Sequence, residues 1–408
     1  MNIAYLCNSF PEPSESYVGD ELDALRGYVD VTPYSVRRPA RPDSRAIYLF
    51  PLKFSCGVAA IGLLLRGLPR IRDLVARVLR GPEPVARRIR TLAHTWLGAY
   101  YATMLKDSPP GHIHVHHGYF ASWVGMIAAR LLGVGFSMTL HGSDLLVRAD
   151  YLDIKLEACR FCFTVSEFNR NYILERYPSV APTKILVQRL GVDPSFWKPL
   201  PGPVPGGSFH IVSVGRLHAI KNHAFLLLAC RTLKSAGAKV RCTIAGNGPD
   251  RPALEQLIAG LGLQAEVTLA GHIPRADLPS LYATADVVVL TSHSEGIPLT
   301  LMEAMAMERM VVAPAITGIP ELVLHGKTGF LYQSGSMEEL LIQLQIVAHG
   351  GRLLNKTKQA AREYVLRHFN SRINLARFAK IFLSRIESRG EAPAAQEHAH
   401  ENPVLQQI

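Results

Sequence analysis

The sequence predicts an α/β protein made of two doubly wound, parallel-sheet domains that face one cleft. Three observations carry that expectation. Short apolar, β-branched runs without polar alternation, such as 286–291 (DVVVLT), read as buried parallel strands. Each is followed by a turn and then by a segment with helical apolar spacing, as where Pro298 opens LTLMEAMAM. The series runs twice, on either side of PLPGPVPGGS (199–208), whose four prolines and three glycines mark a linker.

In chain order, Asn2 to Cys7 read as a first buried strand and Glu21 onward as its helix. The turn between them, NSFPEPSESYVGDEL, carries Pro, Ser and Glu where a phosphate-binding turn often carries glycine, with Ser14 or Ser16 available to cap the helix. Residues 28–34 and 45–50 suggest short strands. The segment 53–106 departs from the pattern with two arginine-rich helices bearing apolar stripes, in which Arg66, Arg70, Arg77 and Arg80 share a face. Alternation resumes at HIHVHHGYF and continues through FSMTLHGSDLL, RFCFTVSEF and KILVQRLGVD, which completes a first domain at 1–198. The second domain, 209–370, opens on FHIVSVGR and runs through KVRCTIAGNGP, EVTLAGHI and the 286–330 stretch. A last helix spans 371–388, and the tail 389–408 reads as disordered.

Composition narrows the function classes. The chain has 408 residues, 48% hydrophobic and 19% charged, enough for full cores in two domains. Net charge is +11, and the excess concentrates between Lys53 and Lys106, where ten Lys or Arg face only Asp73 and Glu83. Aromatics interleaved for base stacking are missing there, which argues against nucleic acid and leaves an anionic membrane surface, met by an amphipathic basic helix, as the expected partner. The longest apolar run, Cys56 to Leu65, is about half a membrane span. The opening MNIAYLCNSF lacks a charged segment ahead of its apolar run, so the expected location is cytoplasmic, on the inner face of the cell membrane. Six cysteines (7, 56, 159, 162, 230 and 242) form no spaced framework, and the lone C-x-x-C at Cys159 and Cys162 reads as buried small hydrophobes. His112, His114, His116 and His117 lack a carboxylate or cysteine at ligand spacing and read as core or cleft histidines, so no metal is expected.

Candidate site residues fall at the carboxyl ends of predicted strands, where doubly wound folds bind ligands. Arg216 follows the strand HIVSV and Lys221 comes five residues later; a guanidinium beside an ammonium suits a diphosphate. Glu295 lies in the loop after strand 286–291, and Glu303 lies eight residues on, in the following helix. His141 stands at the end of the strand FSMTL, with Asp144 three residues away. Such a set fits a ligand carrying both a diphosphate and a hydroxyl-rich sugar.

The segment SEGIPLTLMEAMA, with Glu295 and Glu303 flanking seven residues, resembles the E-x7-E signature of retaining glycosyltransferases of family 4. VGRLHAIKN resembles the family's Arg and Lys element and TGIPELVLHGKTGFLY the run that follows the E-x7-E segment, while NSFPEPSESYVGDEL, FTVSEFNRNYI and LGVDPSFW resemble a subgroup similar to the colanic-acid and other exopolysaccharide glycosyltransferases. The resemblance covers roughly residues 1 to 385. It implies a GT-B fold of two Rossmann-like domains, with the C-terminal helix crossing back to the first, and transfer of a hexose from a UDP- or GDP-sugar with retention, without metal or other cofactor. The acceptor would be a lipid-linked or surface saccharide. Carried over, Arg216 and Lys221 hold the diphosphate, Glu303 the ribose, Glu295 the donor sugar, and His141 stands near the reaction centre. Amides of Ile297, Leu299 and Thr300 would face the phosphates and the backbone near Ile273 the base. Three departures stand out: the N-terminal loop lacks paired glycines, Glu308-Arg309-Met310 replaces a Gly-x-Pro, and Thr317 replaces the first glycine of a pair. Two other readings of the same fold are a sugar-nucleotide epimerase or phosphorylase, and a non-catalytic nucleotide-sugar-binding subunit.

Overall fold

In the computed structural model, which describes residues 2–12, 15–147, 149–202 and 207–387, the chain forms two parallel sheets flanked by helices. The first sheet contains β1 (Asn2–Ser9), β2 (Asp30–Arg37), β3 (Ile47–Tyr48), β4 (His112–His116), β5 (Gly135–Leu140), β6 (Cys162–Thr164) and β7 (Ile185–Val187), in the spatial order β3-β2-β1-β4-β5-β6-β7. The second contains β8 (Phe209–Val214), β9 (Val240–Ala245), β10 (Val267–Gly271), β11 (Val287–Val289), β12 (Met310–Pro314) and β13 (Phe330–Tyr332), in the order β10-β9-β8-β11-β12-β13. Strand order reverses between β1 and β4 in one sheet and between β8 and β11 in the other, and a crevice opens at the carboxyl ends of such strand pairs.

The central strands are buried on both faces, which is why they read as unbroken apolar runs: Ile3, Ala4, Tyr5 and Leu6 of β1 and all of β11 are nearly inaccessible. The first domain packs α1 (Ser16–Arg26) on one side of its sheet and α2 (Phe54–Arg80), α3 (Val85–Leu105) and α4 (Phe120–Leu132) on the other. Ser16 is the first residue of α1 and the N-cap is Glu15, whose side chain makes no capping bond, so the expected serine cap is not formed at Ser16; Ser14 lies outside the described residues. All six cysteines are free, and all but Cys56 are buried.

Three connections hold the domains together. The helix Ser371–Glu387 leaves the second domain and inserts Phe378 and Phe382 against Tyr5, Phe161 and Phe163 of the first. Glu321 accepts the backbone N–H groups of Glu167 (3.1 Å) and Phe168 (2.8 Å) from across the cleft. Arg309, at the departure from Gly-x-Pro, follows a left-handed Glu308 and is buried so that its guanidinium donates to the Leu200 carbonyl, tying down the linker. Linker residues 203–206 and the tail 389–408 lie outside the described residues.

The helix α2 has two apolar sides. Ala60, Gly67, Ile71, Leu74 and Val78 pack inward, while Phe54, Val58, Ile61, Leu65 and Leu68 form a second stripe that faces solvent, with Phe54 88% and Leu65 71% exposed. By length and composition the helix could cross a membrane, yet one side of it is seated on the first domain. Of the four arginines expected to share a face, Arg70 donates to the Leu131 carbonyl (2.5 Å) and Arg77 pairs with Glu83 (2.8 Å), so only Arg66 and Arg80 lack such protein contacts among the described residues.

Candidate active site

The second domain's half of the cleft forms at the carboxyl ends of β8 and β11. Arg216 follows β8 and is exposed, with no ion pair among the described residues. Lys221 closes a short 3-10 turn and its Nζ lies 2.6 Å from Glu295 Oε1. Ser292 Oγ donates to the same oxygen at 2.6 Å. The two loops are stitched by backbone: Thr291 Oγ1 donates to the Lys221 and Asn222 carbonyls (3.1 and 2.9 Å), and the His293 N–H to the Ile220 carbonyl (2.8 Å). Lysine and glutamate therefore meet at fixed positions although they stand 74 positions apart in the sequence.

Glu303 projects from the helix Leu299–Ala306 and is buried, with Oε2 accepting from the Tyr282 hydroxyl at 2.8 Å. Burial pushes its carboxyl up to about 7, against the opposing pull of that hydrogen bond. Pro298 precedes this helix without a side-chain cap, so the first-turn amides, including those of Leu299 and Thr300, are not taken by a cap, and Ile297 is buried just before them. Ile273 follows β10 and is half-buried beside the cluster that contains Tyr282 and Ile297. Gly246, at φ 146°, allows the turn after β9 to lie against the Gly215 carbonyl, which any Cβ would strike.

The first domain contributes a cluster of histidines. His141 follows β5, and its Nε2 lies 2.6 Å from His116 Nε2 at the end of β4. His117, the next residue, has φ 74°, a conformation uncommon outside glycine that turns it out of the strand. Its ring sits between two carboxylates, with Nε2 3.1 Å from Glu15 Oε2 and Nδ1 3.4 Å from Asp144 Oδ2. These contacts are ion pairs whose angles fall outside hydrogen-bond geometry, since both ring nitrogens lack an aligned partner. Burial opposes a charge on His117, but the flanking carboxylates prevail and raise it to about 10, so it is a cation at neutral pH.

Asp144 is fully buried and accepts from the backbone of His141 (3.0 Å), Gly142 (2.9 Å) and Gly118 (2.9 Å). Burial works against its charge, but His117 and the backbone donors hold the carboxyl well below the usual range. Burial and the His117 cation together press His141 down to about 3, leaving it a neutral imidazole. Glu15 is likewise lowered despite burial, through His117, His141 and Arg216, the last of these reaching it from the other domain.

The halves meet where Gly296 lies on the His141 backbone. A Cβ at Gly296 would run into the His141 carbonyl oxygen, and one at Gly142 would come to 3.1 Å from the Gly296 nitrogen. Thr317, at φ 47°, precedes Gly318, whose Cβ position is taken by the Gly296 carbonyl and Ser166, so this departure lies directly beside the acidic loop.

The structure thus brings Arg216, Lys221, Glu295 and His141 to one cleft, with Glu303 and Ile273 farther along the second domain's wall. Sequence reasoning did not select Glu15, His116 or His117 for this site. Strand alternation puts His114 and His116 on one face of β4 and carries no sign of the left-handed turn at His117. No group of three His, Cys, Asp or Glu suited to a metal ion occurs among the described residues.

Comparisons with known proteins agree on the family. The model described as glycosyl transferases group 1 matches residues 201–364, and that described as glycosyltransferase family 4 matches residues 56–196, together about three quarters of the chain. The colanic acid biosynthesis glycosyltransferase WcaL of Salmonella typhimurium is 35% identical over 199 residues, covering 46% of this chain and 48% of that protein. The amylovoran biosynthesis glycosyltransferase AmsK of Erwinia amylovora is 33% identical over 204 residues, covering 48% and 50%. These matches span about half the length of those relatives. The crystal structure of Anabaena HepE in complex with UDP superposes with a TM-score of 0.68 over 94% of this chain and 100% of that one, at 19% identity, a likeness of fold. Two doubly wound domains, a cleft at both switch points and matches across both halves lead to one assignment: the chain belongs to the group 1, family 4-type glycosyltransferases and has the GT-B fold.

Proposed function

We propose that the chain transfers a hexose from a UDP- or GDP-sugar to a lipid-linked or surface-polysaccharide acceptor, with retention and without a metal. The Lys221–Glu295 ion pair, with Arg216 exposed on the turn that leads to Lys221 and Gly296 seated on the His141 backbone, carries the reading. Breaking the anomeric C–O bond puts charge on the departing diphosphate, and fixed cations stabilise it without reorganising. Arg216 and Lys221 would supply those cations, Glu295 would take hydroxyls of the sugar that moves, and Glu303 those of the ribose left behind. The amides of Ile297, Leu299 and Thr300 would receive the phosphates, and the backbone at Ile273 the base. The names of WcaL and AmsK, both tied to extracellular polysaccharides, support the acceptor class.

Retention by front-face departure and attack fits the state of the carboxylates. Glu295 is held by Lys221 and Ser292, Asp144 by three backbone N–H groups, Glu15 by His117 and Glu303 by Tyr282. Each already pairs with or accepts from a protein group, and none of them is singled out as a covalent nucleophile. Replacing Lys221 or Glu295 with Ala is expected to leave folding intact and to cost more than ~2 kcal/mol in the transfer barrier. The assay is release of nucleoside diphosphate from a panel of UDP- and GDP-hexoses with a polyprenyl-linked saccharide, with the product's anomeric configuration read by NMR. Near-normal turnover in both variants would remove the site assignment.

The same proposal places the protein on the inner face of the cell membrane, with the solvent-facing stripe of α2 in the headgroup layer. Phe54, Val58, Ile61, Leu65 and Leu68 are exposed in helical register, and Arg66, Arg72 and Arg80 beside them are exposed cations.

A further inference from the structure

A buried chain of hydrogen bonds runs from α1 to His141. Tyr5 Oη lies 2.7 Å from Glu21 Oε2 and 2.7 Å from His116 Nδ1. His116 Nε2 in turn lies 2.6 Å from His141 Nε2. Glu21 is 3% accessible, Tyr5 and His116 are fully buried, and the rings of Tyr5, His116 and His141 stand one beside the next. The Nδ1 of His141 has no hydrogen-bond partner among the described residues and is the free end of the chain.

We propose that Glu21, Tyr5 and His116 act as positioning residues that set which ring nitrogen of His141 carries its proton, and so whether His141 presents a donor or an acceptor at its free Nδ1. The consequence for catalysis rests on the reading of His141 as the residue against the donor sugar. The tautomers follow from a count of protons. Burial keeps the Tyr5 hydroxyl protonated and both imidazoles neutral, with the nearby cation His117 adding to the effect on the histidines. Tyr5, His116 and His141 therefore hold one proton each, and Glu21 holds one or none.

With Glu21 ionised, the Tyr5 hydroxyl must donate to it, so His116 donates from Nδ1 to the Tyr5 oxygen. His116 Nε2 is then bare, His141 must donate from Nε2, and His141 Nδ1 is a lone pair. With Glu21 protonated every bond reverses. Glu21 donates to Tyr5, Tyr5 to His116 Nδ1 and His116 Nε2 to His141 Nε2, which leaves the proton of His141 on Nδ1. One proton at Glu21 thus reappears as donor capacity at the cleft, about three side chains away, with no net charge moved onto either histidine.

The surroundings place this exchange near neutral pH. Glu21 is faced by Tyr5, His116 and His117 and by Asp20 on its own helix; burial raises it to about 7, with Tyr5 and His117 opposing. Its charge is also felt by Cys7 and Tyr17. His141 is faced by His116, His117, Asp144, Glu15 and Tyr17. Of these, His117 is raised to about 10, Glu15 and Asp144 are lowered, and Tyr17 is raised well above its ordinary value, so Glu21 is the one among them that titrates in the window; Lys155, pressed down to about 7 by burial and bonded to the Gly118 carbonyl, is not part of the hydrogen-bonded chain, and Tyr5→Phe separates the two.

Nitrogen-detected NMR of the full chain labelled with 15N-histidine tests this between pH 6 and 8, with His141 assigned by loss of its signals in His141→Gln. The expected result is an exchange of protonated nitrogen on His141, from Nδ1 at low pH to Nε2 at high pH, mirrored by the opposite exchange on His116. Tyr5→Phe, which cuts the chain, should abolish the pH dependence. Glu21→Gln should fix one tautomer, since its amide settles in one orientation and cannot titrate. A single His141 tautomer throughout in the wild type, or a switch unchanged in Tyr5→Phe, overturns the relay. The readout needs no turnover: a protein that shows the switch but transfers no sugar would lose the transfer reading and keep the relay, and one that transfers without the switch would do the reverse.

Discussion

Gly296 shows how much of this site depends on single atoms. It lies where the acidic loop rests on the His141 carbonyl, and its missing Cβ is what lets the two domains touch there. Gly296→Ala must push the loop or the whole domain aside. The expected result is at least a tenfold loss in kcat/KM, about 1.4 kcal/mol, read as release of nucleoside diphosphate. Glu303 yields a second prediction. Its carboxyl titrates near 7 in the folded protein, raised by burial, against 4.5 ordinarily. The folded state therefore holds a proton that the unfolded chain releases earlier, and this contribution to stability is lost as pH rises from about 4.5 through about 7. Ribose hydroxyls donate best to the ionised form, so nucleotide affinity should rise from pH 6 to 8, and Glu303→Gln should flatten that rise in calorimetric titrations. Among these residues, Lys221 and Glu295 were legible in the sequence because carboxyl ends of strands can be found from local apolar pattern. Glu15 and His117 were not, because their partnership depends on a left-handed turn and on a contact across 102 residues.

At the scale of elements, strands were legible because a parallel strand covered on both faces is apolar over most of its length, as β11 is throughout and as β8 is apart from His210 and Ser213. The basic segment was legible as helices, but not which side faced where. Periodicity predicts one apolar stripe per helix, and α2 carries two, so the pattern could not say which one the core takes. The arginine face was overcounted for a related reason: Arg70 and Arg77 find partners on α4 and on the turn after α2, which only the packed domain brings near. The returning helix Ser371–Glu387 makes an element-scale prediction. Phe382 is fully buried among Phe161, Phe163 and Phe378, on the domain opposite to the one its helix follows. Phe382→Ala should cost ~3–5 kcal/mol at this site. Because the helix follows the second domain in sequence yet buries its side chains in the first domain's core, scanning calorimetry should resolve two transitions in the variant, the earlier one belonging to the first domain. A single transition displaced as a whole would mean that the helix does not couple the domains.

For the whole molecule, the decisive relation is between the cleft and α2, since the first domain carries both α2 and the His141 wall of the cleft. The stripe from Phe54 to Leu68 is apolar, exposed and bordered by cations, and net charge is +11. A lipid-anchored acceptor held in the same headgroup layer would reach the cleft from a surface, which raises its effective concentration, whereas a water-soluble acceptor gains nothing from that arrangement. Introducing charge into the stripe should therefore separate two activities that share one site. Leu65→Glu combined with Phe54→Glu should release the protein from vesicles containing anionic lipid in flotation. It should lower transfer to a polyprenyl-linked acceptor in those vesicles by tenfold or more, and leave transfer to a short soluble saccharide within twofold of wild type. The substituted side chains are already exposed, so the fold should tolerate both changes. Equal losses on both acceptors would point to damage in the cleft, and unchanged flotation would return α2 to the role of an ordinary surface helix. Raising salt should weaken vesicle binding of the wild type through Arg66, Arg72 and Arg80 without abolishing it, because burial of the apolar stripe is not screened.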